Sequence, residues 1–297
     1  MKVVLAGATG LIGRALVPAL LADRHEVTVL TRAPTVDVAG AAVVRWDGRH
    51  IDEAHVHGTD AIVNLSGATI GGRRWTDSRK REILRSRVDS TAALVDAVAR
   101  LSPGERPSVL VNASGIGYAG NAGDELVTED TRPGTTFLAS VSREWEAAAL
   151  SAEALGLRVV LMRTGVVLAR GAPTLRLLAL PFRLFAGGRI GSGRQWFPWI
   201  HLDDVVRVYA NAISGSGLAG PVNLVAPETV RQADLARELG RVLHRPALLP
   251  TPAWAIRLAL GEQSELALDG QRAESLKLDP SEFIHPHLAE ALAEALG

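Results

Sequence analysis

Three glycines spaced three apart, Gly7, Gly10 and Gly13, follow the apolar run Val3-Val4-Leu5-Ala6 and precede Leu16, Leu20 and Leu21 at helical spacing. Strand, tight turn and helix start in that order make a phosphate-binding edge. Gly7 permits the turn, Gly10 lets backbone approach a pyrophosphate, and Gly13 allows close helix–strand packing. The N–H groups of the first helical turn, with the positive end of the helix dipole, favour anionic oxygens. Gly7, Thr9, Gly10, Leu11, Ile12 and Gly13 are therefore the expected dinucleotide-binding residues. The next apolar run ends Leu30-Thr31-Arg32, where an NAD site would place a carboxylate for the ribose hydroxyls. A guanidinium there suits a 2′-phosphate, with Thr31 donating beside it, so the expected cofactor is NADP. The alternative is that Arg32 is a solvated loop residue. Asp47, after the third apolar run, is read either as an acceptor for the adenine amino group or as a turn cap.

A second group with usable chemistry is Gln195, Trp196, Trp199 and His201, an amide and an imidazole among aromatic rings, suited to holding a small polar substrate. His201 is a candidate acid or base, because an unperturbed imidazole titrates near pH 6.5. Its position before Asp203 and Asp204 favours a helix-start or inter-domain bonding role. The pairs His55/His57 and His285/His287 lack clustered carboxylates and zinc-hydrolase spacing and fall in apparent loops, so no metal site is expected. Between Arg73 and Arg87 basic side chains outnumber Asp77 and Glu82, but Arg79, Arg81, Arg85 and Arg87 do not share one helical face. That run reads as a solvated helix with one or two cofactor contacts.

Seven short, continuously apolar runs can position these residues: Val3–Ala6, Val27–Leu30, Val43–Trp46, Ala61–Leu65, Val109–Asn112, Val159–Met162 and Val222–Leu224. Such runs are strands covered on both faces. They alternate with helical stretches such as Ser78–Arg100 and Ser142–Leu155, which implies an α/β fold with a doubly wound parallel sheet of Rossmann type. Pro18 falls inside the first helix and should bend it. No strand is evident over Ala172–Gly193. Arg231–Leu243 reads as a helix, and the tail Trp254–Gly297 as mainly helical. The expected division is a Rossmann domain over residues 1–170, to which 199–226 return, and a smaller helix-rich substrate region from 171–198 and 227–297.

Over its 297 residues the chain carries 32 basic and 32 acidic side chains, which removes the electrostatic footprint of a nucleic-acid binder. Cysteine is absent, excluding disulfides and a thiolate nucleophile, and aromatics at 4% are too few for base-stacking platforms. No apolar stretch approaches the roughly 20 residues of a membrane span. The expected setting is cytoplasmic.

The glycine turn, Asn64-Leu65-Ser66-Gly67, the stretch Gly188–His201, Leu260-Gly261-Glu262 and Asp269-Gly270-Gln271-Arg272 together resemble the extended short-chain dehydrogenase/reductase superfamily. The resemblance is to an atypical branch of NAD(P)-dependent epimerase/dehydratase-like proteins that carry a C-terminal domain of unknown function. It implies that Leu65, Ser66 and Gly67 lie along the cofactor, that Glu82 and Arg87 contact its ribose or phosphates, and that Val166 approaches the nicotinamide. It also implies a Tyr-x-x-x-Lys pair, which this chain lacks. Its tyrosines are Tyr118 and Tyr209, its lysines Lys2, Lys80 and Lys277, and the corresponding segment reads Phe137-Leu138-Ala139-Ser140-Val141. Ser114 falls where the superfamily orients substrate, so the expected catalytic residues are Ser114, orienting, and Tyr118, exchanging a proton. The alternative is that both bond only loop backbone. The function expected is that of an NADP-dependent oxidoreductase or epimerase-like enzyme acting on a small carbonyl or hydroxyl compound, sugar-nucleotide-like in one version. A non-catalytic NADP-binding sensor or scaffold is the alternative. Partners are limited to a small-molecule substrate and, at most, a second copy in a homodimer.

Overall fold

A computed structural model describes residues 1–32, 38, 40–215 and 217–297. Seven strands form one parallel sheet: β1 (Lys2–Ala6), β2 (Glu26–Thr31), β3 (Ala42–Arg45), β4 (Ala61–Asn64), β5 (Val109–Gly115), β6 (Arg158–Thr164) and β7 (Gly220–Leu224). Their spatial order is β3-β2-β1-β4-β5-β6-β7. Val3 pairs with Val27 on one side and Ala61 on the other. The winding reverses between β1 and β4, and open sheets of this kind bind ligands at the carboxyl ends of the strands flanking the reversal. All seven apolar runs became sheet strands, with ends that differ by at most three residues.

The alternation of side chains along each strand explains why the runs are apolar throughout. Val3, Leu5, Val63, Val111 and Met162 face one side, where they meet Leu16 and Leu20 of α1 (Leu11–Ala22) and Val205, Val208 and Tyr209 of α5 (Leu202–Ser214). Val4, Ala6, Ile62, Leu110 and Leu161 face the other, against Leu94 and Val98 of α2 (Asp77–Ala99) and Ala149 of α3 (Phe137–Leu150). Each fully buried side chain of this kind contributes about 1.5–3 kcal/mol. The helices start where the sequence offers caps: Thr76 accepts from Arg79 N at α2, and Thr136 from Ala139 N at α3. Pro18 lies within α1, which continues through it to Ala22.

A third apolar cluster is built from late segments. Leu175 and Phe182 of α4 (Pro173–Arg183), Leu235 and Leu239 of α6 (Gln232–Leu243), and Leu288 and Leu292 of a C-terminal helix (Leu288–Leu296) surround Trp199. Helix α4 occupies the stretch in which the sequence showed no strand. The tail is less helical than its composition suggests: beyond α7 (Ala253–Leu260) and the single turn α8 (Glu265–Leu268), the chain from Asp269 to His287 holds only a two-residue strand and a short 3-10 turn. Short strand pairs not anticipated from sequence are Val166–Leu168 with Trp199–His201, Trp196–Phe197 with Val230–Arg231, and Leu126–Val127 with Arg272–Ala273, the last of which joins the tail to the segment after β5. No helix among the described residues is long and apolar enough to cross a membrane.

Candidate functional site

A cleft of about 840 Å³ opens at the carboxyl ends of β1, β2 and β4. Gly7 forms its floor with φ +87°, and a Cβ there would lie 2.6 Å from the carbonyl carbon of Leu65. A Cβ on Gly13 would lie 2.5 Å from Ala8 Cα. Glycine is thus required twice, once for the left-handed turn and once for the approach of α1 to the sheet. Gly10 is the N-cap of α1 and contributes no side-chain cap, and no acidic residue occupies the first turn. The opening N–H groups thus have no side-chain cap at the end where Gly10 lines the cleft, as helix starts that bind anions do. Arg14 Nε donates to Thr9 O at 2.9 Å and fixes the turn. Gly7, Thr9, Gly10, Leu65, Ser66 and Gly67 line the cleft together. Gly13 lies behind it, Leu11 packs towards the third apolar cluster, and Ile12 towards the first.

At the other end the cleft is walled by Thr31 at the end of β2 and Arg32 after it, by Asp47 and Arg49 after β3, and by Arg81, Glu82, Arg85 and Asp89 on one face of α2. Sequence reasoning missed Arg49, Arg81 and Arg85; their i, i+4 spacing along α2 was the available signal for the last two. Both Asp47 oxygens are engaged: Oδ1 accepts from Arg49 N at 2.7 Å and His50 N at 2.8 Å, and Oδ2 faces His50 Nδ1 at 3.1 Å. Those backbone donors hold its pKa down at about 2, as expected of a turn cap. Arg87 is turned away from the cleft. Its Nη1 donates to Ala68 O and Ile83 O, each at 3.0 Å, and its guanidinium stands 5.0 Å from the Trp145 ring. Burial lowers its pKa to about 10, still high enough to keep the charge. Arg87 therefore supports the Gly67–Ala68 loop from behind. Deeper in, Asn64 Nδ2 donates to Thr91 Oγ1 at 2.9 Å and Asn112 Oδ1 at 2.8 Å, while Asn64 Oδ1 accepts from Ser66 N at 3.1 Å, fixing the loop after β4.

Beyond the carboxyl end of β5 lies a buried polar set. Ser114 Oγ donates to Glu146 Oε1 at 2.7 Å, and Arg163 grips the same carboxylate through Nε and Nη2, each at 2.9 Å. Arg163 Nη1 donates to Glu129 O at 3.0 Å, and its guanidinium lies 3.5 Å from the centroid of the Tyr118 ring. Ser114, Glu129, Glu146 and Arg163 are each 4–6% exposed. Glu129 is satisfied by Asn223 N at 2.9 Å, Ser275 Oγ at 2.6 Å and Leu276 N at 3.0 Å. Ser114 and Tyr118 are thus brought to one charged pair, whose members Glu146 and Arg163 sequence reasoning missed. Phe137 and Val141 join an apolar cluster with Trp75 and Ile83, Phe137 meeting Trp75 edge-on at 5.1 Å. Tyr209 is fully buried among α5 and the sheet, where desolvation raises its phenol pKa well above the usual range. Val166 is half-buried at the start of its short strand, its N–H donating to Pro198 O at 2.8 Å.

The stretch 195–201 does not present one wall. Gln195 Nε2 donates to Ile190 O at 3.0 Å and Ala267 O at 2.9 Å, binding two loops together. Trp196 lies under the Arg231 guanidinium at 3.7 Å and donates to Asp124 Oδ1 at 2.9 Å. Trp199 is 1% exposed in the third apolar cluster and donates to Glu228 O at 3.0 Å. His201 is 2% exposed, caps α5 by accepting from Asp203 N at 3.3 Å, and holds Glu294 Oε2 at 2.7 Å. Alternation along the strand Trp199–His201 and its pairing with Val166–Leu168 set these inward directions.

Nearby, Glu265 is pushed up to about 7, first by burial and then by the like charges of Asp269 and Glu262. A carboxyl raised on folding stabilises fully below its free value and loses that contribution as pH rises through 7. Glu265→Gln is expected to raise Tm at pH 8 by roughly 2–4 °C and to leave it unchanged at pH 4. Thermal unfolding monitored by circular dichroism at the two pH values checks this.

Residues 3–223 match the NAD dependent epimerase/dehydratase family, and residues 251–295 match a domain of unknown function, DUF1731. The epimerase family protein SDR39U1 homolog, chloroplastic, of Arabidopsis thaliana is 38% identical over 98% of this chain and 86% of its own. The crystal structure of human epimerase family protein SDR39U1 (isoform 2) with NADPH superimposes with a TM-score of 0.88 at 33% identity, covering 99% of both chains. The structure of a nucleoside-diphosphate sugar epimerase from Corynebacterium glutamicum superimposes at 0.80 with 34% identity, over 100% of this chain and 58% of that one.

Proposed function

This chain belongs to the NAD dependent epimerase/dehydratase family, and from that premise we propose that it is an NADP(H)-dependent enzyme exchanging a hydride with a small carbonyl or hydroxyl compound. The observation that carries this reading is the charge at the adenosine end of the cleft. Among the described residues no carboxylate follows directly on β2, and Arg32, Arg49, Arg81 and Arg85 line this end of the cleft, where a 2′-phosphate would go. The glycine floor, which any Cβ would fill, and the uncapped start of α1 fit a dinucleotide pyrophosphate. The NADPH in the human relative supports the same choice, and the sugar-nucleotide epimerase likeness supports a sugar-nucleotide-like substrate. Bound NADP(H) supplies the hydride donor or acceptor.

The residues of this chain supply orientation and proton exchange. Ser114 spends its hydroxyl proton on Glu146, so its oxygen is left to accept from a substrate hydroxyl. Tyr118 Oη, carried on a ring braced by Arg163, exchanges the proton that accompanies hydride transfer. A non-catalytic NADP sensor is favoured by one observation, the apolar packing of Phe137 and Val141 where the family pair would stand. Incubation with NADPH and a carbonyl library separates the two: consumption abolished in Tyr118→Phe supports the enzyme, whereas tight binding without consumption supports the sensor. For the cofactor, Arg32→Glu is expected to weaken NADPH at least tenfold and to leave NADH within about twofold, consistent with loss of one charge-assisted bond and a new repulsion. Titration by intrinsic fluorescence checks it, and equal losses for both coenzymes would remove Arg32 from the site.

A further inference from the structure

Fifteen large apolar side chains are exposed among the described residues, and eight of them fall within 177–185 and 248–258, so they make a patch and not a scatter. Helix α4 buries Leu175, Ala179 and Phe182 and leaves Leu177, Leu180 and Leu184, spaced i, i+3 and i+7, on its outer face. Phe185 follows at φ +61°, a left-handed conformation that a bulky residue rarely adopts, and is 61% exposed. Its ring lies 4.5 Å from the Arg245 guanidinium. Leu249 N donates to Gly187 O at 3.0 Å and Thr251 N to Arg189 O at 2.9 Å, which brings Leu248 and Leu249 to the end of α4. Pro252 leads directly into α7, Ala-Trp-Ala-Ile-Arg-Leu-Ala-Leu, in which no residue is buried although Arg257 alone is polar. Trp254 and Leu258, one turn apart, are 68% and 72% exposed. Arg74 Nη2 donates to Leu258 O at 2.6 Å and Ala259 O at 2.8 Å, so this apolar helix is fastened with its side chains outside.

The charge on these segments decides what covers them. No acidic residue lies between Glu153 and Asp203 or between Glu238 and Glu262. Arg176, Arg183 and Arg245 are exposed with no carboxylate partner among the described residues. Of the acidic residues that flank the second stretch, Glu238 is paired with Arg241 at 2.7 Å and Glu262 with Lys80. We propose that this face docks on an anionic lipid bilayer, with Phe185, Leu248, Trp254 and Leu258 entering the boundary between headgroups and acyl chains and the arginines meeting lipid phosphates. Exposed apolar side chains beside unpaired cations, with a tryptophan among them, are the composition of a surface that lies on a membrane, and lying there requires no spanning helix. A second copy docked about a two-fold axis would instead set these cations against themselves with no opposing charge. Each arginine held near an anionic surface strengthens binding about fivefold. The bilayer is a partner beyond the small molecule and the second copy expected from sequence, and its docking face is separate from the coenzyme cleft.

The test is flotation of the full chain with vesicles of phosphatidylcholine alone and of phosphatidylcholine mixed equally with phosphatidylglycerol. Binding is expected to the anionic vesicles only, and it should fall steeply as salt is added. It should also shift to the blue the fluorescence of Trp254, the one exposed tryptophan among the described residues, and Trp254→Phe should lose that shift. Leu248→Glu with Leu258→Glu should weaken binding at least tenfold. Arg183→Glu with Arg245→Glu should weaken it at least twentyfold. All four side chains are exposed, so the thermal transition should stay at its wild-type position, which separates lost docking from lost folding. No binding to anionic vesicles at low salt, equal binding to neutral ones, or binding unchanged in Leu248→Glu with Leu258→Glu overturns the proposal. A concentration-dependent dimer that those two substitutions abolish, without vesicle binding, also overturns it and assigns the face to a second copy.

Discussion

Glu146→Ala is expected to destabilise the protein by about 3–5 kcal/mol, because it leaves Arg163 buried and charged without its partner. Two charge-assisted bonds at 2.9 Å and the Ser114 bond at 2.7 Å converge on that carboxylate, and both charged side chains are 5–6% exposed. Removing the pair together should cost much less: Glu146→Leu with Arg163→Met keeps the volume and leaves no orphaned charge, and such swaps are often near neutral. Urea denaturation of the single and double variants reads the difference. Equal losses in both would mean that packing, not charge pairing, sets the cost. The same variants separate stability from function, since the double variant should fold yet leave Ser114 without its acceptor and Tyr118 without its brace.

Gly13→Ala is expected to reduce NADPH affinity a hundredfold or more. The added Cβ meets the Ala8 backbone at 2.5 Å, so α1 must move outward from β1. A shift of that kind takes the opening N–H groups out of reach of the pyrophosphate, and hydrogen bonds to charged groups contribute about 1.5–3 kcal/mol each. Losing two of them corresponds to a factor of roughly a hundred to a few tens of thousands. Overpacking should also lower stability by about 1–3 kcal/mol, so binding is to be measured below the thermal transition of the variant. Wild-type affinity in Gly13→Ala would show that the turn tolerates the methyl and that the close approach is not what holds the cofactor.

The sheet was legible in the sequence because strands covered on both faces must be apolar throughout, and seven such runs stood out between helical stretches. The glycine turn was legible because its backbone geometry admits no other residue at Gly7 and Gly13. Arg87 shows where family resemblance runs ahead of local geometry. The phase of α2 turns Arg81 and Arg85 to the cleft and Arg87 inward beneath Trp145. Glu146 and Arg163 could not be paired from sequence, since one lies mid-helix and the other at a strand end, and only the packing of α3 on β5 and β6 brings them together. Trp199 and His201 looked like a ligand wall because aromatic and imidazole side chains suit binding sites, yet their short strand turns them into the third core and the start of α5. The contact of Asp203 with His285 has the same character: the two are distant in sequence and meet only once the C-terminal segment docks.

The central claim is that the cleft over β1, β2 and β4 takes a 2′-phosphorylated dinucleotide, and isothermal titration of the wild-type chain with NADPH and with NADH tests it most directly. One NADPH per chain, bound at least tenfold more tightly than NADH, is the predicted result. Uptake of neither coenzyme, or equal affinity for both, would contradict it.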